Sequence, residues 1–432
     1  MITRECLRGD SNEGNVLINL FAGTGYELAN IYCKPGLPDN DICTRYFQLT
    51  DKMALDNILH GTPMGACVSP DTGSSGEAIQ GENKRFYDFF RKNNLPFFQF
   101  AREILWDFAD FKSDALRDFI SDFAPDVIFA PLCYNRFVLA MDRYAVTLTG
   151  RPAATYIYDD LYSLRQLSFS PFFWINRFIQ RAAIRKTMPY FRLAYTMCEQ
   201  QAREYRKYFS LPMHVISKCA GHIHSAERAA HDGLRIVYAG GLYCGRDGTL
   251  GKVSDAVRTL NAEGFKLRLD VYTSSPVHKP LLAKLDDGQQ CFMHGVVPSD
   301  ELEKIYTKSD IALHVESFTK KYALATRLSF STKIVDCLSS GCALLAICPS
   351  MNSGWQYLRD NAAAMCIDTP DKIYDALRTL ALDGDLRRRY AAQAAVCAEK
   401  HHSREQCTAL LCRDLEAMAW GINMIIWREC NV

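Results

Sequence analysis

The sequence predicts an α/β protein of two domains, each a parallel sheet with helices on both faces. Three observations carry this. Short apolar runs of strand length alternate with segments of helical period along most of the chain. The alternation breaks at His214–His231, a polar stretch with Gly221 and repeated His, and starts afresh at Leu234. The 432 residues are also long enough for two separate cores. We place the domains at residues 1–215 and 216–402, with 403–432 as a terminal helix and tail packing back on the first.

Composition narrows the class. A hydrophobic share of 48% with 23% charged residues is globular. A formal net charge of +1 supplies no bulk attraction, so nucleic acid is not an expected partner. The 17 Cys lack paired C-x-x-C spacing and read as reduced core thiols rather than a disulfide framework or zinc site. No apolar run approaches membrane-spanning length and no export signal is visible, so a cytoplasmic location is expected.

Taken in order, the chain opens on a strand stub, Met1–Thr3, so the start reads as falling inside the first strand. A polar loop follows to Asn15, then the first turns of a helix at Val16–Phe21. Strands are expected at Glu27–Cys33 and Arg45–Leu49, with a Gly/Ser/Pro-rich surface loop over Gly61–Gly81. Helical period runs from Lys84 to Phe123. Strand Asp126–Ala130, helix Asn135–Thr149 and strand Ala153–Tyr158 come next, and then strand Leu193–Cys198 with helix Glu199–Phe209. In the second half, strands fall at Leu234–Ala239, Leu267–Tyr272, around Phe292 and at Ile311–Val315. A helix is expected at Leu250–Glu263, and another starts at Pro298–Leu302 with Ser299 as its cap. Helices Asp371–Leu382, Leu386–Lys400 and Arg404–Ala419 close the chain before a mixed tail from Trp420.

The stretch Leu328–Ala346 organises the second half. Ser331 or Thr332 can cap a short helix whose amino end suits an anion, and Lys333 adds a full positive charge there. Asp336 lies one turn on, on the same face, placed for a ribose hydroxyl. Gly341 stops the helix before a buried strand. Gly240 and Gly241, directly after strand Leu234–Ala239, allow close approach of a phosphate or sugar, and Arg246 can fork onto a diphosphate. Glu316 sits just past strand Ile311–Val315. These residues converge on the carboxyl-end rim of one sheet, where such folds bind ligands. A plain helix–strand unit accounts for the stretch Leu328–Ala346 equally well.

Two further features stay open between readings. Asp159-Asp160, at the end of strand Ala153–Tyr158, is either an acid/base or sugar-hydroxyl pair or a capping loop. Segment 168–186 interleaves Phe172, Phe173, Trp174, Ile175 and Phe178 with Arg177, Arg181, Arg185 and Lys186. That suits either an anionic membrane surface or a core helix with a solvated basic stripe. His222, His224 and His231 are too loosely spaced for a metal site.

The order of signals resembles the GT-B glycosyltransferases, most of all the retaining, nucleotide-sugar-dependent group that builds bacterial surface polysaccharides. The resemblance rests on the strand–Gly240-Gly241–Arg246 opening, the run from His294 to Glu316, and Ser331-Thr332-Lys333-Ile334 through Asp336 to Gly341. It is strongest from Arg235 to about His401 and looser over Ala124–Leu132 and Tyr158–Arg165. It implies two Rossmann-like domains facing each other across a cleft. Gly240, Gly241, Arg246, Ser331, Thr332 and Lys333 would hold the donor diphosphate, Asp336 the ribose and Glu316 the donor sugar. Asp159 or Asp160 would face the reaction centre, and Asn12, Gly14 and Asn15 would border the acceptor. Relatives carry a second Glu where this chain has Leu324, which departs from the pattern around Glu316. The implied activity is hexosyl transfer from a nucleotide-sugar to a glycan or lipid-linked acceptor, without metal or cofactor, at the inner face of a membrane contacted through 168–186. A sugar-nucleotide epimerase of the same fold and a non-catalytic nucleotide-sugar-binding homologue are the alternatives.

Overall fold

The structure, a computed structural model, describes residues 1–9, 11–69, 96–224 and 232–421. It divides into two compact units. The first comprises Met1–Leu164, Ser168–Ile216 and the chain from Thr408 onward; the second comprises Arg165–Leu167 and Ser217–Cys407.

Among the described residues, unit 1 contains two four-stranded sheets. One runs β1 (Ile2–Thr3), β2 (Ala29–Tyr32), β3 (Arg45–Gln48) and β4 (Ala66–Val68) in that order. The other runs β5 (Ile128–Pro131), β6 (Ala153–Ile157), β7 (Leu193–Thr196) and β8 (Met213–Val215), all parallel. β1 pairs parallel with β2, Ile2 opposite Ile31, and lies beside β5. The helices in order are α1 (Asn12–Phe21), α2 (Asp51–His60), α3 (Pro96–Phe108), α4 (Asp114–Phe123), α5 (Arg136–Thr149), α6 (Pro171–Thr187) and α7 (Glu199–Arg206). β5, β6 and β7 are buried along their whole length, which is why they read as unbroken apolar runs.

Several boundaries differ from expectation, for local reasons. α1 begins at Asn12 rather than Val16, because Ser11 caps it by accepting from Gly14 N at 3.0 Å. α2 was not legible: only Ala54 is fully buried, so its apolar period is faint. Within the loop expected at Gly61–Gly81, Ala66–Val68 is an antiparallel edge strand, and the part from Pro70 on lies outside the described residues. Within the helical period expected over Lys84–Phe123, the described residues form α3 and α4, separated where Ser113 caps α4 by accepting from Leu116 N; residues 84–95 lie outside the described set.

Unit 2 is one six-stranded parallel sheet. Its strands are β9 (Leu234–Ala239), β10 (Leu267–Tyr272), β11 (Cys291–His294), β12 (Ile311–Val315), β13 (Ala343–Ile347) and β14 (Met365–Ile367), in spatial order β11-β10-β9-β12-β13-β14. Its helices are α8 (Arg246–Ala262), α9 (Lys279–Leu285), α10 (Ser299–Thr307), α11 (Lys320–Ala325), α12 (Lys333–Ser339), α13 (Ser353–Asp360), α14 (Ile373–Leu382) and α15 (Gly384–His402). Leu250, Val253, Val257 and Leu260 put one buried stripe of α8 on the sheet. α10 starts with Ser299 inside the helix and Pro298 at the cap position, not with Ser299 as the cap.

A last helix, α16 (Arg404–Ala419), ends within unit 1. There Asp414, 2% exposed, takes His214 Nδ1 at 2.5 Å and Tyr195 Oη at 3.4 Å, and Tyr26 Oη donates to Glu416 at 3.2 Å. The tail from Ile422 lies outside the described residues. Among the described residues no helix is long and apolar enough to cross a membrane.

Candidate functional site

In unit 2 the chain winds outward in both directions from β9 and β12, so the strand order reverses between them. Those two strands pair only at Ile311–Ile236 and Ala312–Val237, whereas β12 and β13 pair over five residues. Toward their carboxyl ends β9 and β12 therefore part, and Gly240, Arg246, Glu316 and Lys333 gather there.

One residue before the end of β9, the Tyr238 hydroxyl donates to Gly241 O at 2.8 Å. Gly240 has φ of 142°, a backbone state that favours glycine. A Cβ placed there would meet Lys333 Cε and Nζ at 2.2 Å, and one at Gly241 would meet the Tyr243 ring at 2.3 Å. The room above the glycines, expected for a ligand, is thus taken by an ammonium and an aromatic ring. Lys333 Nζ also donates to Tyr238 Oη at 3.1 Å. Burial, and then the neighbouring Arg246 charge, push the Lys333 ammonium down to about 8.

Arg246 opens α8 after two residues of positive φ, Cys244 and Gly245. It does not stand free for a ligand. Its Nη2 and Nε donate to the two Glu316 carboxylate oxygens at 2.7 and 3.1 Å, with both residues buried. Glu316 accordingly faces Arg246. Arg246 Nη1 is buried without a protein partner, and Tyr243 lies over the guanidinium at 4.8 Å. Thr249 Oγ1 donates to Glu316 O at 2.8 Å, which ties α8 to the end of β12.

α12 departs from the expected capping. Thr332 already has helical φ and ψ, and neither it nor Ser331 caps through its side chain; Ile334 N and Val335 N instead bond to Ser331 O and Thr332 O in a tight first turn. The positive charge here comes chiefly from Lys333. Gly341, φ 71°, stops the helix as expected. The Asp336 carboxylate accepts from Lys218 Nζ at 2.7 Å. Lys218 was missed because it lies in the connection, far away in sequence.

His314 was also missed. It is the polar residue in an otherwise apolar β12, and Nε2 is buried without a partner. Burial, then the Arg246 and Lys333 charges, push its imidazole down to about 3, so it stays neutral. The opening thus holds two cations, a neutral buried imidazole and two orphaned nitrogens, a set of donors suited to a multiply charged oxyanion.

The remaining expected residues lie in unit 1. Asp160 is buried and engaged. Its carboxylate accepts from Ser163 N at 2.8 Å and from Ser163 Oγ, and lies 3.5 Å from Arg177 Nη2. It fastens the loop after β6, whereas Asp159 is exposed. Asp160→Ala would strand the buried Arg177 charge and is expected to lower unfolding free energy by about 3 kcal/mol in urea titrations, with Asp160→Asn losing less. The basic side of α6 serves the same loop. Arg177 donates to Ser163 O, Arg181 to Tyr162 O, and Arg185 Nη2 to Tyr162 Oη at 2.9 Å. Three of the four basic side chains named on 168–186 are thus engaged by the protein's own loop, whereas Lys186 and the rings of Phe172 and Phe178 stay exposed.

At α1, Gly14 is required by packing, since a Cβ would lie 2.3 Å from Arg8 O, and Asn15 Nδ2 donates to Gly9 O at 3.1 Å. Asn12 supplies the first residue of the helix. Between them Glu13 was overlooked: burial pushes its carboxyl up to about 7, among Arg4, Glu5 and Lys34. A carboxyl raised from 4.5 contributes stability fully below that value and loses it as pH rises through about 7. Glu13→Gln should therefore be more stable than the parent at pH 8 by about 1–2 kcal/mol, but not at pH 4, by thermal melts.

Among the described residues no three His, Cys, Asp or Glu side chains gather as a metal site; of the three linker histidines, His222 and His224 meet edge to face and His231 is outside the described set.

Comparison with known proteins bears on the fold. Residues 254–413 match a family model described as glycosyl transferase-like. No curated protein matches the sequence. Among solved structures, sucrose-phosphate synthase from Thermosynechococcus elongatus is similar with a TM-score of 0.62 at 10% identity, over 96% of this chain and 98% of that one. Anabaena HepE in complex with UDP gives 0.61 at 10%, over 96% and 99%. The pneumococcal O-GlcNAc transferase GtfA in complex with UDP and GlcNAc gives 0.51 at 12%, over 70% of this chain and only 60% of that one. The fold is that of the GT-B glycosyltransferases: α/β, with two units built on parallel sheets.

Proposed function

We propose that this chain is a glycosyltransferase that moves a hexose from a nucleotide-diphosphate donor to a glycan or lipid-linked acceptor. One observation carries the proposal: Lys333 over Gly240 and the Arg246–Glu316 pair share the opening where β9 and β12 part. The donor's diphosphate would lie against Lys333 Nζ and Arg246 Nη1, with Glu316 holding the guanidinium in place. As the bond from the anomeric carbon to the phosphate oxygen breaks, charge grows on the leaving diphosphate, and preplaced cations stabilise that state more than the ground state. The same two charges do what a divalent ion would do, so transfer is expected to persist in chelator. Asp336 would exchange part of its bond to Lys218 for a ribose hydroxyl.

UDP is the first donor nucleotide to test, since two of the similar structures hold it. Retention at the anomeric carbon, a place in surface-polysaccharide synthesis and work at the inner face of a membrane complete the proposal. A thermal-shift screen over UDP-, GDP- and ADP-sugars tests it, because a ligand that prefers the folded state raises apparent stability. A donor that shifts the melt and is consumed only with an acceptor supports transfer. Conversion of donor alone would make the chain an epimerase, and binding without turnover a non-catalytic homologue. Proton NMR of the product reads the anomeric configuration.

A further inference from the structure

We infer that the cavity between α3, α5 and α6 in unit 1 is a binding site for the phosphate head group of an anionic membrane lipid. The cavity measures about 650 Å³. Phe108, Phe111 and Ile179 line it together with Lys112, Arg143 and Lys186. Apolar and cationic side chains in one cavity match an amphiphile rather than a wholly polar or wholly apolar ligand.

The charges in this cavity are not matched from within. Arg136, which also reaches it, is neutralised by Asp107 at 2.7 Å. Asp110 also lines the cavity, but its carboxylate accepts from Lys112 N at 3.0 Å and forms no ion pair with Lys112, Arg143 or Lys186, so the cations of the lining outnumber its carboxylates. Arg143 Nη1 donates to the neutral Thr187 hydroxyl at 2.5 Å, and Lys112 Nζ sits 5.8 Å from the Tyr144 ring centre. Among the described residues, none of Lys112, Arg143 and Lys186 has a carboxylate within ion-pair distance. Asp142, next to Arg143, is buried, and burial pushes its carboxyl well up, which weakens it as a counter-charge.

The apolar surroundings select a bilayer as the source of the anion. Phe108, within the lining, is 76% exposed, and Phe178, on the exposed face of α6, is 57% exposed. Phe97 and Phe172 join the two helices edge to face at 5.6 Å while both stay exposed. A free phosphate would use only the cations and leave these rings in water. A lipid surface uses both, with the rings at the acyl boundary and the cations at the phosphates. The inference rests on the proposed work at a membrane face and moves that contact from the basic side of α6, which is engaged by the loop after β6, to Lys186 and its neighbours.

The test is flotation of the full chain with phosphatidylcholine vesicles, with and without phosphatidylglycerol, and with inorganic phosphate as competitor. The parent should bind the anionic vesicles, and binding should fall with salt. Lys112→Glu with Lys186→Glu should weaken it about 30-fold. Phe108→Ser with Phe178→Ser, both at exposed positions, should also weaken it. Equal binding to both vesicle types, unchanged binding by the charge-reversed variant, or no binding by the parent would overturn the proposal. Full competition by inorganic phosphate would reduce the cavity to a soluble-anion site and overturn it as well. The melt shift by nucleotide-sugar, measured on the same variants, should be unchanged. If no donor shifts even the parent while vesicles still bind, the transferase reading fails and the lipid site stands.

Discussion

Arg246→Ala is expected to lower transfer by roughly 10- to 1000-fold and to destabilise unit 2 by about 3–5 kcal/mol. The two losses have different origins. Transfer falls because the leaving diphosphate loses a preplaced cation. Stability falls because Glu316, 2% exposed, is left as a buried carboxylate without its bidentate partner. The pair can be taken apart experimentally. Glu316→Gln should also destabilise while leaving the arginine's charge for the donor. Replacing both, Arg246→Met with Glu316→Leu, should recover much of the stability, since an apolar pair of similar volume avoids the desolvation of two ions, yet transfer should stay low. Urea midpoints and kcat/KM on the three variants give the comparison. Full transfer by the folded double variant would remove Arg246 from the chemistry.

The second large effect concerns Lys333. Its ammonium is held down to about 8, so donor affinity should fall as pH rises through that value, because only the charged form attracts a diphosphate. Stability should move the opposite way. The unfolded chain binds this proton more tightly than the folded one, so the folded state gains about 1–2 kcal/mol as pH climbs from about 8 to the ordinary lysine range. Lys333→Met should abolish both dependences and weaken donor binding about 10- to 100-fold, read by calorimetric titration between pH 6.5 and 9. Gly240→Ala should mimic it without touching the lysine, since the added Cβ would stand 2.2 Å from Lys333 Cε and Nζ and force the side chain away. A pH-independent affinity in the parent would show that Lys333 does not meet the phosphates.

Much of unit 2 could be read from the chain alone. β12 and β13 are buried at every position, so they stand out as apolar runs without needing a partner to define them. Gly240, Arg246, Glu316 and Lys333 were each visible, because a turn after a strand or the start of a helix is a local pattern. The helix Asp51–His60 was not visible, since it buries too little to show a period. His314 was passed over because one polar residue inside a strand carries no local signature.

Local sequence thus decided where strands, turns and helix starts fall, and which residue types stand at the carboxyl ends of the strands. It had no means of deciding who meets whom. Arg246 and Glu316 are 70 residues apart, Lys333 and Tyr238 95, and Lys218 and Asp336 118. Those pairings exist only once the parallel sheet brings the ends of separate strands together. A cation then engages whichever carboxylate burial leaves most in need of it, so Arg246 turned to Glu316, Asp160 to Arg177, and the basic side of α6 inward to its own loop. Propensity and period act over a few residues, whereas desolvation of a charge is settled by every atom that packs around it.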